Sequence, residues 1–149
     1  MKSLAHEDCR AEIMRRLRTI RTDSTPRWGR MSAHQMICHL ADACRMATGQ
    51  KAVAPVAGTL PPGVMKWIAL YSPLPWPRGI PTVPELDQHR GGTTPLEFAA
   101  DLAAVEALLN SLVSQERCPP HPMFGRMSRA DWLRWGYVHT AHHLRQFGA

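Results

Sequence analysis

The middle of the chain, between residues 50 and 94, contains the run LPPGVMKWIALYSPLPWPRGIPTVPELDQHRGG. Proline at this density cannot sit inside a helix, where it removes a hydrogen bond and clashes with the preceding turn. Nor can it sit in a central strand, where it removes a ladder donor. The stretch therefore divides the sequence. Regular structure must lie before it and after it, apart from one short helix that the segment around Val64 to Leu70 permits. A long connection of this kind is uncommon in a compact domain and is often functional. Either it covers one mouth of the fold, with Trp67, Tyr71 and Trp76 lining whatever binds there, or it packs over core that would otherwise be exposed.

Both flanks carry helical signals. Ile13, Leu17 and Ile20 recur with helical spacing, which predicts a first helix from Ala5 to Arg21. Ser32 with Gln35 three residues on forms a capping-box pattern that opens a second, running to about Thr48 before Gly49. Beyond the proline-rich stretch, Thr94 reads as a cap, Pro95 as the first helical residue and Glu97 as the residue reaching back. Leu102, Val105, Leu109 and Leu112 then make an apolar stripe. The last helix opens at Ser128, with Asp131 three residues on and Met127 placed to pack on Trp132. Strand signals are nearly absent. The 149 residues read as one all-α domain, a four-helix bundle with a long Pro-rich crossover between helices two and three.

Composition narrows the function. The hydrophobic share is 44% and the charged share 20%, values ordinary for a globular protein, and no apolar run is long enough to span a membrane. The first twenty residues lack the apolar segment of a signal peptide and contain acids, which points to a cytoplasmic protein. Cys9, Cys38, Cys44 and Cys118 show no CxxC or finger spacing and read as reduced thiols. A net charge of +6 raises the question of nucleic acid, but the arginines are scattered and not interleaved with aromatics, so no nucleic-acid partner is assigned.

The chemistry lies in the histidines of YVHTAHHLRQFGA. On a helical wheel centred on His139, residues His143, Trp132, Trp135 and Gln146 all fall within about 40°, and His142 lies about 60° to the other side. A face with two tryptophans must be buried, so His139 and His143 point inward, and Trp132 and Trp135 are candidates to line a substrate pocket. The same exercise on helix two places His39 with Gln35, Met36, Ala43 and Met46 on a buried face, and His34 on the wetter side with Arg45. Cys38 points about 100° away from His39. Two imidazoles at i, i+4 can reach one ion, and a third from a facing helix makes a three-histidine site with an open position. Zinc, nickel and iron suit such a donor set equally. The competing reading is three hydrogen-bonded core histidines. Asp42, one turn after His39, either orients an imidazole or makes an interhelical contact, and Gln146 stands in the same position beside His143. His89 and His121 fall outside the helices and read as loop residues, with Phe124 plugging the end of the bundle. No acidic residue beside the HxxxH pair offers a general base, so no catalytic residue is assigned.

The segments WGRMSAHQMICHLADACRMATG and HPMFGRMSRADWLRWGYVHTAHHLRQFG resemble the DinB-like (YfiT-like) superfamily of metal-dependent four-helix-bundle proteins, and GIPTVPELDQHRGGTTPLEFAADL is similar to one branch of it. The resemblance implies one divalent metal ion held by a histidine on helix two and an HxxxH pair on the last helix. In this chain these are His39, His139 and His143, the set selected by the wheel. It also implies a thiol-dependent transferase or isomerase chemistry, in which the metal activates a low-molecular-weight thiol such as bacillithiol or mycothiol. Metal-bound water acting on a small molecule, and a non-catalytic metal- or ligand-binding bundle, are the alternatives. Bundles of this size often form homodimers, which is the expectation for the assembly.

Overall fold

A computed structural model describes all residues, 1–149. It contains five α-helices and no strand: α1 (Glu7–Leu17), α2 (Ala33–Ala47), α3 (Pro62–Tyr71), α4 (Phe98–Ser114) and α5 (Arg129–Gln146). A single 3₁₀ turn, Pro84–Leu86, lies between α3 and α4. The fifth helix, α3, is the short one inside the proline-rich stretch, and Pro62 stands in its first turn, where a missing N–H costs nothing.

Helix α2 is the core of the molecule. Its Ser32 Oγ accepts from Gln35 N at 3.1 Å while Ser32 N donates to Gln35 Oε1 at 2.9 Å, so the capping box read from the sequence is formed. Most of its surface is covered, because α4 and α5 both pack on it and the 3₁₀ turn closes a further side. Ala33, Ala41, Ala43 and Ala47 are all buried, and these small side chains let the neighbouring backbones approach. Helix α1 packs on α5 through Ile13 and Leu17. It is shorter than its apolar spacing suggests: no side chain caps its start, and Ile20, though buried, sits in a turn closed by Ile20 N donating to Leu17 O at 3.1 Å.

Helix α4 begins later than the sequence indicates. Thr94 and Pro95 lie outside it, and Glu97 is the cap, its carboxylate accepting from Ala99 N at 3.1 Å and Ala100 N at 2.7 Å. The reason is tertiary. Thr93 donates through its N–H and its hydroxyl to Asp42 of α2, at 2.7 and 2.6 Å, and this anchors the incoming chain in an extended path.

Helix α5 starts as its capping box predicts, with Ser128 Oγ accepting from Asp131 N at 3.1 Å and Asp131 Oδ2 accepting from Ser128 N at 2.8 Å. Asp131 also accepts from the Tyr71 hydroxyl and from Lys66 Nζ, which fastens α3 across the start of α5. Further along, Gly136 permits a close crossing: a Cβ there would lie 2.7 Å from Leu4 Cδ1 and 3.1 Å from Leu112 Cδ2. This contact fixes the depth of α5, and with it the height at which its histidines meet α2.

Candidate metal centre

Three imidazoles converge where α5 faces α2. His39 is 3% exposed, while His139 and His143 are half-buried. One nitrogen from each of the three lies within 4.8 Å of the others, and the Nε2 atoms of His39 and His139 are 3.3 Å apart. A tetrahedral ion with metal–nitrogen distances of about 2.0–2.1 Å sets its nitrogens roughly 3.3 Å from one another. This pair is therefore already spaced as two ligands of one ion.

The outward nitrogens fix which lone pairs point in. His39 Nδ1 donates to the carbonyl of Leu86 at 2.9 Å, so its Nε2 is the free acceptor. The His143 tautomer is set by Gln146, whose Nε2 donates to Trp28 O at 2.7 Å, an interaction only the amide NH₂ can make. Its Oε1 is thereby turned towards His143, whose Nδ1 donates to it at 2.9 Å, and again Nε2 is left with a lone pair. His139 is held by stacking: the Trp135 ring lies parallel to it, 10° from coplanar, with centroids 4.9 Å apart.

Charge follows burial. Burial lowers the pKa of His39, and it lowers those of His139 and His143 well below the ordinary imidazole value, with the neighbouring histidines adding to the effect. All three are neutral bases at pH 7, the form that binds a metal. The residues present thus fit a divalent ion: three uncharged nitrogens, two with tautomers fixed from behind, around one point.

The triad opens on a cavity of about 470 Å³ whose wall includes Trp28, Met46, Trp76, Phe124 and Trp135. Trp76 lies 5.9 Å, centroid to centroid, from both His139 and His142. Of the aromatics singled out in the sequence, Trp76, Phe124 and Trp135 face this space. Trp132 does not: it is 1% exposed and packs edge-on against Trp135. Trp67 is 60% exposed, and Tyr71 is occupied by Asp131. His142 borders the cavity with its ring edge-on to Trp28.

Asp42 makes no hydrogen bond to an imidazole. It is completely buried and accepts from Thr93, Gln88, Arg45 and Lys51, so it holds residues 88–93 against α2. Those residues follow directly on Leu86, whose carbonyl orients His39. Gln146 touches the triad directly. Its placement depends on Gly29, in the left-handed conformation at φ +83°, where a Cβ would stand 2.6 Å from Gln146 Nε2.

Two features escape sequence reading. His121, taken as a loop residue, forms part of the cavity wall. His34 donates to Asp101 Oδ2 at 2.7 Å, and the Cys38 thiol lies 3.7 Å from the same oxygen. The Leu96 N–H also donates to that oxygen at 3.2 Å, so it already serves three donors. Burial and the adjacent carboxylate push the Cys38 thiol up to about 12, and the cluster is a satisfied hydrogen-bond set between α2 and α4.

A helical domain with three convergent histidines beside a cavity belongs to the class of proteins able to hold a single metal ion between helices. Comparison with known families places it further: the DinB superfamily matches residues 6–147, and the chain belongs to that superfamily. No curated protein matches the chain. No solved structure matches it either. No helix is long and apolar enough to cross a membrane.

Proposed function

We propose that His39, His139 and His143 hold one divalent ion and that the protein is a metal-dependent enzyme transferring a low-molecular-weight thiol to a small molecule in the cavity. The four longer helices form the bundle in this reading, and the Pro-rich 50–94 segment is the crossover that walls the cavity. The observation that carries the proposal is the convergence of three neutral imidazole nitrogens, two of them oriented from behind, at the cavity edge. A divalent ion there would supply Lewis acidity, lowering the pKa of a thiol or water at the open position. The chain supplies the rest. Leu86 O and Gln146 fix the ring orientations, Trp135 and Trp76 flank His139, and the apolar wall excludes water.

Thiol transfer is favoured over hydrolysis by what the wall lacks. It contains no aspartate or glutamate, and attack by water gains from a carboxylate base more than attack by a thiol, whose lower pKa gives the nucleophilic anion more readily. Four unpaired cysteines support a reducing, cytoplasmic setting.

Metal analysis of tag-free protein, with a His39→Ala variant, tests the proposal. One zinc, nickel or iron per chain, lost in the variant, supports the site. A spectral change when thiols are added to cobalt-substituted protein supports thiol binding. A folded protein that takes up no metal after reconstitution with all three ions would sink the enzyme reading. Metal without any response to thiols would leave a binding bundle.

A further inference from the structure

Resting on the reading of the cavity as the substrate site, one residue of its wall names a property of the substrate. His121 sits in a tight turn closed by reciprocal backbone hydrogen bonds with Gly125, at 2.8 and 2.9 Å. Its Nδ1 accepts the backbone N–H of Met123 at 3.1 Å and that of Phe124 at 3.2 Å. A ring nitrogen that accepts two N–H groups carries no proton, so the proton of the neutral ring is on Nε2. The ring is clamped as well: it stacks on Phe124 with centroids 4.2 Å apart, and Trp135 meets it edge-on at 5.7 Å. Nε2 has no partner in the protein and is not among its sealed polar atoms, while the ring borders the cavity. His121 is thus a fixed hydrogen-bond donor, with Trp135 between it and His139.

The rest of the wall has the same sense. Its polar members include Arg30, Ser72 and Thr82, with no carboxylate among them, and apolar side chains fill the space between. We infer that the cavity binds a largely apolar, aromatic-sized molecule carrying a carbonyl or carboxylate oxygen, and that His121 Nε2–H donates to that oxygen while the reacting end of the molecule lies at the triad. His121 is a positioning and specificity residue in this scheme: a donor with no free lone pair selects acceptors and leaves hydrocarbons unrewarded.

The probes are phenylacetone and isobutylbenzene, equal in non-hydrogen atom count and differing in the carbonyl. Each is titrated into metal-free and zinc-reconstituted protein, and into His121→Asn. Asparagine at this position can accept the Met123 and Phe124 N–H groups through its side-chain oxygen, as in an Asx turn, but offers no donor where Nε2 stood. The ketone-to-hydrocarbon affinity ratio is expected to be about three- to tenfold higher in wild-type protein than in His121→Asn, the range of one net hydrogen bond. In ¹⁵N-labelled wild-type protein the His121 Nε2–H proton should shift with the ketone and not with the hydrocarbon, a readout that holds even if the variant fails to fold. The same ketone-to-hydrocarbon ratio in wild type and in a folded His121→Asn, or an Nε2–H signal indifferent to the ketone, would overturn the inference. A preference present in protein that never takes up metal would uphold this subsite while removing the proposed metal chemistry.

Discussion

Gly29→Ala tests how the loop before α2 controls the triad. Gly29 has φ +83°, and the new Cβ would stand 2.6 Å from Gln146 Nε2, a separation that real Cβ contacts essentially never show. Two costs add. A left-handed alanine is strained by about 1–2 kcal/mol. Displacing Gln146 breaks its bond to Trp28 O, worth about 0.5–1.5 kcal/mol. The expected loss is therefore about 1.5–3.5 kcal/mol, or roughly 3–14 °C in Tm for a chain of this size. The second consequence is specific. Once Gln146 swings away, His143 Nδ1 loses its acceptor and the ring is free to take the other tautomer. Loss of such an orienting partner costs about 10–100-fold in metal affinity. Urea unfolding of metal-free protein measures the first effect, and zinc competition against a chromophoric chelator measures the second. A stability loss below 1 kcal/mol, or a folded variant with zinc affinity within twofold of wild type, would refute the chain of contacts from Gly29 through Gln146 to His143.

Two further outcomes follow from buried groups. Asp42→Ala should destabilise by about 3–5 kcal/mol, because it strands Lys51, Arg45 and Thr93 without their partner; the folded fraction should keep wild-type metal stoichiometry, and its loss in folded protein would make Asp42 an orienting group after all. Burial lowers the His121 pKa to about 4 from 6.5, so the unfolded chain protonates first: the stability is complete above pH 6.5 and falls as the pH drops towards 4, by roughly 3 kcal/mol from this residue. Urea titrations of metal-free wild type and His121→Asn at pH 7 and pH 4.5 should show the smaller acid loss in the variant, and identical losses would show that His121 does not bear the penalty.

What was legible in the sequence was local. The boxes at Ser32 and Ser128 are short-range patterns whose partners lie three residues away, and both form. The convergence of His39, His139 and His143 could be read because helical periodicity decides which side chains share a face. The failures are tertiary. Thr94 looked like a helix cap because nothing local reveals that Thr93 is bound to Asp42 across 51 residues. For Asp42 the sequence leaves open an imidazole or a contact elsewhere, and nothing local shows that the loop carrying Gln88 and Thr93 takes its oxygens. The Leu86 carbonyl had no signal at all, since a backbone acceptor has no side-chain signature. Gln146 could have been sharpened by the glycine in WGR, an early sign of backbone crowding at a distant partner. His121 lies outside the helices as its sequence position indicates; a histidine two residues ahead of the N–H it accepts is the pattern of a side chain locked by its own turn.

The distance along the chain between the histidines carries a consequence for assembly. His39 and His139 are 100 residues apart, and their rings meet only after α2 and α5 have docked with the intervening segment threaded around them. An isolated α5 offers an ion two imidazoles on one face, a weak chelate. The third is supplied only when α2 and α5 pack together, so a three-nitrogen site would exist only in the folded topology. A metal ion bound there would leave early folding events untouched and would hold the finished arrangement shut, stabilising it against unfolding more than hastening its formation. In this architecture a bound ion would act as a latch on a closed ring of chain, and its retention would report that the ring has closed.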